Sequence, residues 1–296
     1  MQKIAKRLSI AFYLSMFLSL CLVLVRIVFL VRYIEPETGL YYYGTNADIY
    51  FNIILVAVLL IIFAVCLPLV KLEEPKESPS ETSFTIFASS FCGFMCISAF
   101  ITELISVVVN NTTQSQALTS SSVSSIFGQN FNALSILQIL FSIPSAIYFL
   151  MICLKKANIR SGKTAILSMA PIVFIGIRLI SLFLDTHSAI NSSERALSIL
   201  TFCSMMLFFL CEVRFYLPEL PDKKEKKQEN LFQYYLFGLL TVALTTATVI
   251  PTMIFSAFWI LEPKISYSFS VLDLSLALYA IARLVSKMQT SKQATK

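Results

Sequence analysis

The sequence predicts an all-α fold, a polytopic transmembrane helical bundle of about eight spans that forms one domain over residues 1–296 with both termini cytoplasmic. Three observations carry that reading. Hydrophobic residues make up 57% of the chain and charged residues 14%, against roughly 25% charged in an ordinary soluble domain. A water-soluble fold could not hide that much apolar surface. The apolar residues fall in continuous runs, and crossing hydrocarbon as a helix takes roughly 20 of them. Lys and Arg also gather in alternate connections between the runs, as basic residues retained on one side of a membrane do. A barrel is disfavoured because its strands alternate apolar and polar residues over about 10 positions, which leaves helices as the spanning solution.

Taken in order, the spans are residues 8–31, 49–70, 84–109, 131–154, 164–184, 196–217, 234–260 and 269–286. The first follows Lys3, Lys6 and Arg7 like a secretory signal, but it is long and ends in Arg26-Ile27-Val28-Phe29-Leu30-Val31-Arg32 without small residues for cleavage. It reads as a retained signal-anchor helix. Span three carries Ala88, Ser89, Ser90, Gly93, Ser98 and Ala99, small residues that let membrane helices approach closely. Pro144, Pro171 and Pro251 lie inside spans four, five and seven, where each removes a backbone hydrogen bond and kinks the helix.

Orientation follows from the connections. Lys3, Lys6 and Arg7, then Lys71 and Lys76, then Lys155, Lys156, Arg160 and Lys163, then Lys223, Lys224, Lys226 and Lys227, and finally Lys287, Lys292 and Lys296 all fall on one side, leaving Arg32, Arg195 and Lys264 on the other. This asymmetry places both termini in the cytoplasm and accounts for the net charge of +6 as cytoplasmic flanks facing anionic lipid, not as a nucleic-acid surface. The longest connection, Asn110 to Asn130, is rich in Ser, Thr and Gln and reads as a flexible outer connector. Asn110, Asn111 and Asn191 each begin an N-x-Ser/Thr triplet, glycosylatable in a eukaryotic host.

Several chemistries lose their footing. All seven cysteines, Cys21, Cys66, Cys92, Cys96, Cys153, Cys203 and Cys211, fall within spans, which argues against an extracellular disulfide framework. Cys92 and Cys96 share a helix face, but nothing nearby completes a metal site, so they read as small packing residues and no metal or other cofactor is expected. His187 is the only histidine, and no GxSxG, P-loop or GxGxxG motif occurs. No catalytic residue is assigned.

The sharpest signal is charge within the spans, because an ionised side chain in hydrocarbon is costly and normally faces a bundle interior or a wet cavity. Arg26, Glu103, Arg178 and Asp273 lie in the outer half of spans one, three, five and eight. They form an expected intramembrane polar cluster, as ion pairs that fix helix register or as the lining of an outward-facing cavity. Glu212 and Arg283 form an expected inner charge pair, although Arg283 and Arg214 are also close enough to the cytoplasmic edge to snorkel. Tyr33, Tyr41, Tyr42, Tyr43, Trp259 and Tyr267 mark an outer aromatic belt and Tyr216, Tyr234 and Tyr235 an inner one. Arg26 and Arg178 also occupy comparable places on spans one and five, a faint echo of a parallel 4 + 4 duplication.

Glu37-Thr38-Gly39-Leu40-Tyr41-Tyr42, and the block from Arg178 through Asp185 and Ile190-Asn191-Ser192 to Glu212-Val213-Arg214-Phe215, resemble uncharacterised multi-pass membrane proteins of Gram-positive bacteria. The resemblance implies a bacterial cytoplasmic membrane and brings no activity with it. The seven-span receptors do not fit, since DRY and NPxxY patterns are absent. Three functional classes therefore stand: a transporter or channel for a small polar solute or ion, a non-enzymatic sensor or partner subunit of a membrane complex, and, least supported, a lipid-acting intramembrane enzyme using Glu103 or Asp273 as general base.

Overall fold

The computed structural model describes residues 2–34, 41–42, 44–70, 73–75, 82–117, 125–154, 162–184, 192–216, 228–257 and 267–293. Helices occupy almost all of it: α1 (Gln2–Tyr33), α2 (Ala47–Cys66), α3 (Ser83–Ala117), α4 (Ser125–Cys153), α5 (Gly162–Ser168), α6 (Ala170–Leu184), α7 (Ser192–Tyr216), α8 (Leu231–Ala257) and α9 (Tyr267–Gln293). Two three-residue strands, β1 (Glu73–Pro75) and β2 (Gln228–Asn230), pair antiparallel and tie the segment after α2 to the segment before α8. Among the described residues, eight stretches are long and apolar enough to cross a membrane: Lys6–Tyr33, Ala47–Leu69, Ser83–Val108, Ala133–Cys153, Thr164–Leu184, Glu194–Arg214, Leu231–Ala257 and Phe269–Thr290. They follow the eight apolar runs of the sequence in order.

The helices bury one stripe and leave the rest of their surface apolar. On α2 the buried residues are Ala47, Phe51, Leu55, Val58, Ile62 and Cys66, spaced three or four apart, while Ile49, Tyr50, Ile53, Val56 and Leu60 are exposed. Such surface suits lipid, and in lipid an apolar stripe gains little by association, so close packing and buried polar contacts must hold the helices together. Thr82 caps α3, its Oγ1 accepting from the Thr85 amide at 3.2 Å. Gly93 lets α3 approach α4, since a Cβ there would lie 3.1 Å from Leu150, and Gly238 does the same between α8 and α9, with Leu284 only 3.0 Å away. Gly238→Val is therefore expected to destabilise the bundle by about 1–3 kcal/mol through overpacking. Thermal unfolding in detergent measures it, with Gly176→Ala, whose nearest neighbour is Met206 at 3.5 Å, as a near-neutral control.

Packing closes a circuit. α1 lies on α9, α9 on α3, α3 on α4, α4 on α6, α6 on α7, α7 on α8 and α8 on α1, with α8 and α9 also in contact. α2 sits outside this circuit against α1 and α8. The start of α1 meets the end of α9, where Ser9 Oγ donates to Met288 Sδ at 3.2 Å. This is the near end of the bundle; the end where α1 finishes and α9 begins is the far end.

Several expectations are corrected. The described parts of the Asn110 to Asn130 connector are helical, because α3 runs on to Ala117 and α4 starts at Ser125, while residues 118–124 lie outside the described residues; amide and hydroxyl side chains weaken a helix without forbidding it. Span five is not among the corrections: it keeps the bounds Thr164–Leu184 and is interrupted at Met169, beside the Pro171 that was expected to kink it and that cannot donate a backbone bond there. Lys287, counted among the tail cations, is buried within α9 at 1% exposure. Tyr234 and Tyr235 face the interior instead of the inner interface. Lys71, Lys76, Lys155, Lys156, Arg160, Lys223, Lys224, Lys226, Lys227, Lys264 and Lys296, together with Tyr43, Trp259, His187, Asn191, Asp185 and the stretch 37–40, lie outside the described residues.

Candidate functional site

At the far end, α6 buries Phe174, Ile175, Ile177 and Arg178 at helical spacing, so the stripe that packs the helix also carries its arginine inward. Arg178 meets Asp273 of α9 in a two-pronged ion pair: Nη1 donates to Oδ1, and Nη2 to Oδ2 at 2.9 Å. The fork matches the carboxylate in plane and uses both of its oxygens. Aromatic faces enclose the same guanidinium, with Phe202 at 4.7 Å, Phe269 at 4.9 Å and Phe174 at 6.0 Å. Glu103 of α3 is half-buried beside the Ser135 hydroxyl and within electrostatic reach of Arg178. The structure thus gathers Arg178, Asp273 and Glu103.

Arg26 goes elsewhere. It shares the buried stripe of α1 with Leu22, Val23 and Leu30, and its Nη2 donates to Glu194 of α7 at 3.0 Å. Its Nη1 reaches the Tyr41 hydroxyl at 3.4 Å, and its guanidinium stands 4.5 Å over the Phe51 ring. Sequence reading missed Glu194 because it precedes the sixth apolar run; its place in the first turn of α7 was the available signal.

The near end holds a denser network. Glu212 of α7 is fully buried, and its Oε1 accepts from Arg283 Nε at 2.5 Å, from Arg283 Nη2 and from the Tyr279 hydroxyl at 3.2 Å. Its Oε2 accepts from the Tyr234 hydroxyl at 2.8 Å, and Tyr235 donates to the Leu284 carbonyl at 3.1 Å. Arg283 is 2% exposed, so it is paired in the core and does not snorkel. Arg214, by contrast, is exposed and donates to Gln233 at 2.8 Å.

Asp273 and Arg283 are ten residues apart on α9, which puts the two levels about 15 Å apart at 1.5 Å per residue. Between them Tyr279 packs edge-on to Phe149 at 5.2 Å and parallel to Phe209 at 6.0 Å. Along α8, Tyr234, Thr241, Thr245 and Thr248 fall seven, four and three residues apart, hence on one face. Tyr234 bonds Glu212 at one end of this row, and Thr248 meets Thr201 of α7 at 3.2 Å at the other. Thr246, Thr248 and Thr252 donate to carbonyls of their own helix. Thr241 and Thr245 do not: both hydroxyls are buried without a hydrogen-bond partner among the described residues.

Comparison with protein families, curated proteins and solved structures finds no match for this chain. The geometry alone must carry the assignment. The chain is a multi-pass membrane protein, with two charged levels and an aromatic and hydroxyl layer between them. Cys92 serves packing, its thiol donating to the Ser275 carbonyl of α9 at 3.0 Å, and no cluster of three or more potential metal ligands occurs among the described residues.

Proposed function

We propose that the protein moves a small polar solute or ion across the cell membrane, with both termini and the near end in the cytoplasm and the far end outside. One observation carries this reading: polar and charged side chains run through the depth of the bundle on helices facing its interior. From Glu212 and Arg283 the row continues along one face of α8, by Tyr234, Thr241 and Thr245, toward the level of Arg178 and Asp273. Buried polar contacts also hold membrane helices together, but the Thr241 and Thr245 hydroxyls, which make no hydrogen bond among the described residues, contribute nothing to such fastening. Charges kept within hydrocarbon characteristically line solute and ion pathways, and the Thr241 and Thr245 hydroxyls, without hydrogen-bond partners among the described residues, leave donors and acceptors for something that passes.

The test is flux. Purified protein in liposomes is loaded against a panel of inorganic ions, carboxylates, amino acids and sugars. At least one solute is expected to cross faster than in protein-free liposomes. Thr245→Val, which keeps the side-chain volume and removes the hydroxyl, is expected to reduce that flux while unfolding at an unchanged or higher temperature. A panel with no flux, and a protein that co-purifies with a stoichiometric membrane partner, would replace transport with the partner-subunit reading.

A further inference from the structure

The three arginines buried among the described residues differ in how completely the protein satisfies them. Arg178 gives both terminal nitrogens to the two oxygens of Asp273, and three phenylalanine rings surround it. Arg283 gives Nε and Nη2 to Glu212, a carboxylate further held by two tyrosines. Arg26 is also 2% exposed, yet it makes a single ordinary bond to Glu194 and a long one to Tyr41. Its Nε is buried with no hydrogen-bond partner among the described residues. A guanidinium offers five donors in a planar fork suited to two oxygens at once. A buried donor left unmade costs free energy that a ligand can recover.

We propose that Arg26 is a binding site for a small oxyanion, a carboxylate or phosphate, and that Glu194 is the internal carboxylate it displaces. The inference rests on the transport reading and names the substrate class. Three features support an exchange of partners. Glu194 is 20% exposed against 2% for Arg26, so the competitor sits on the accessible side of the cation and can swing out. Phe51 fixes the guanidinium plane at 4.5 Å, holding the fork in place when its partner leaves. Tyr41 supplies a second polar group beside it, on a segment whose amide at Tyr42 bonds the Tyr33 carbonyl at 2.9 Å and so is anchored to the end of α1. An incoming oxyanion would take Nε together with the nitrogen that now serves Glu194, converting a one-pronged contact into a two-pronged one.

The measurement is the thermal unfolding temperature of the purified protein in neutral detergent, titrated with phosphate or acetate at constant ionic strength, with chloride as reference. A ligand that binds the native state raises this temperature by mass action. Wild-type protein is expected to respond to phosphate or acetate and not to chloride. Glu194→Gln, which removes the competitor, is expected to reach the same shift at a several-fold lower concentration, even from a lower starting temperature. Arg26→Gln is expected to lose the shift. Should it fail to fold, Arg26→Lys, with charge but no planar fork, is expected to need several-fold more ligand. A full response in Arg26→Gln or Arg26→Lys, or silence in both wild type and Glu194→Gln toward all oxyanions, overturns the proposal. A parallel series in nanodiscs with and without phosphatidylglycerol identifies the source. An Arg26-dependent shift from the anionic lipid alone assigns the site to a headgroup phosphate, and a shift from free phosphate or acetate assigns it to a solute. Oxyanion binding without flux would leave the site standing and remove the transport reading, whereas flux insensitive to Arg26 would do the reverse.

Discussion

Glu212→Gln is expected to cost about 3–5 kcal/mol of stability, the range for removing one partner of a buried ion pair and stranding the other. The carboxylate is fully buried and accepts from Arg283, Tyr234 and Tyr279, which belong to α9, α8 and α9, while Glu212 itself is on α7. The neutral amide keeps the shape but cannot balance the guanidinium, and its NH2 group would face donors. Chemical or thermal unfolding in detergent measures the loss. Glu212→Leu combined with Arg283→Met is expected to recover much of it, because replacing both members with apolar residues removes the uncompensated charge. Tyr234→Phe, which removes one of the donors, is expected to cost about 1–3 kcal/mol. A Glu212→Gln protein as stable as wild type would show that the network does not hold the near end together.

The spans were legible in the sequence because hydrocarbon imposes a requirement that depends on length and apolarity alone. Which face of each span looks inward was not. Tyr234 and Tyr235 stand at the edge of an apolar run, where an interfacial anchor and an interior hydrogen-bond donor have the same sequence signature, and the packing of α8 on α7 and α9 decides between them. Lys287 shows the same ambiguity for a cation at a helix end. Charge placement was partly readable, since Arg26, Arg178, Asp273, Glu212 and Arg283 all stand out against apolar neighbours. Partner choice was not, because it depends on lateral order: α7 rather than α3 offers Arg26 its carboxylate, through a residue just outside the apolar run. The likeness between Arg26 and Arg178 does not extend to their surroundings, one paired to α7 near Tyr41 and the other to α9 among phenylalanines.

Asp273→Asn is the second large effect. It leaves the Arg178 cation buried among Phe174, Phe202 and Phe269 without its carboxylate, and a loss of about 3–5 kcal/mol is expected on the same grounds. The rings recover little of this, since a cation over an aromatic face contributes about 0.5–2 kcal/mol, and Phe202 and Phe269 are in place already. Glu103 of α3 is within electrostatic reach of Arg178, so the single variant is expected to draw Arg178 toward it; Asp273→Asn with Glu103→Gln should then be less stable than the sum of the two single losses. Stability alone does not separate a pair that fixes helix register from one that lies on a pathway, and the apolar replacement of both members does. Arg178→Met with Asp273→Leu is expected to restore unfolding to near the wild-type temperature, as matched hydrophobic substitutions of buried pairs often do. If the pair serves the path, flux in liposomes stays absent in that restored protein, because the charges at the far level are gone. Flux that returns with the fold would make Arg178 and Asp273 a fastening between α6 and α9 and move the pathway away from them.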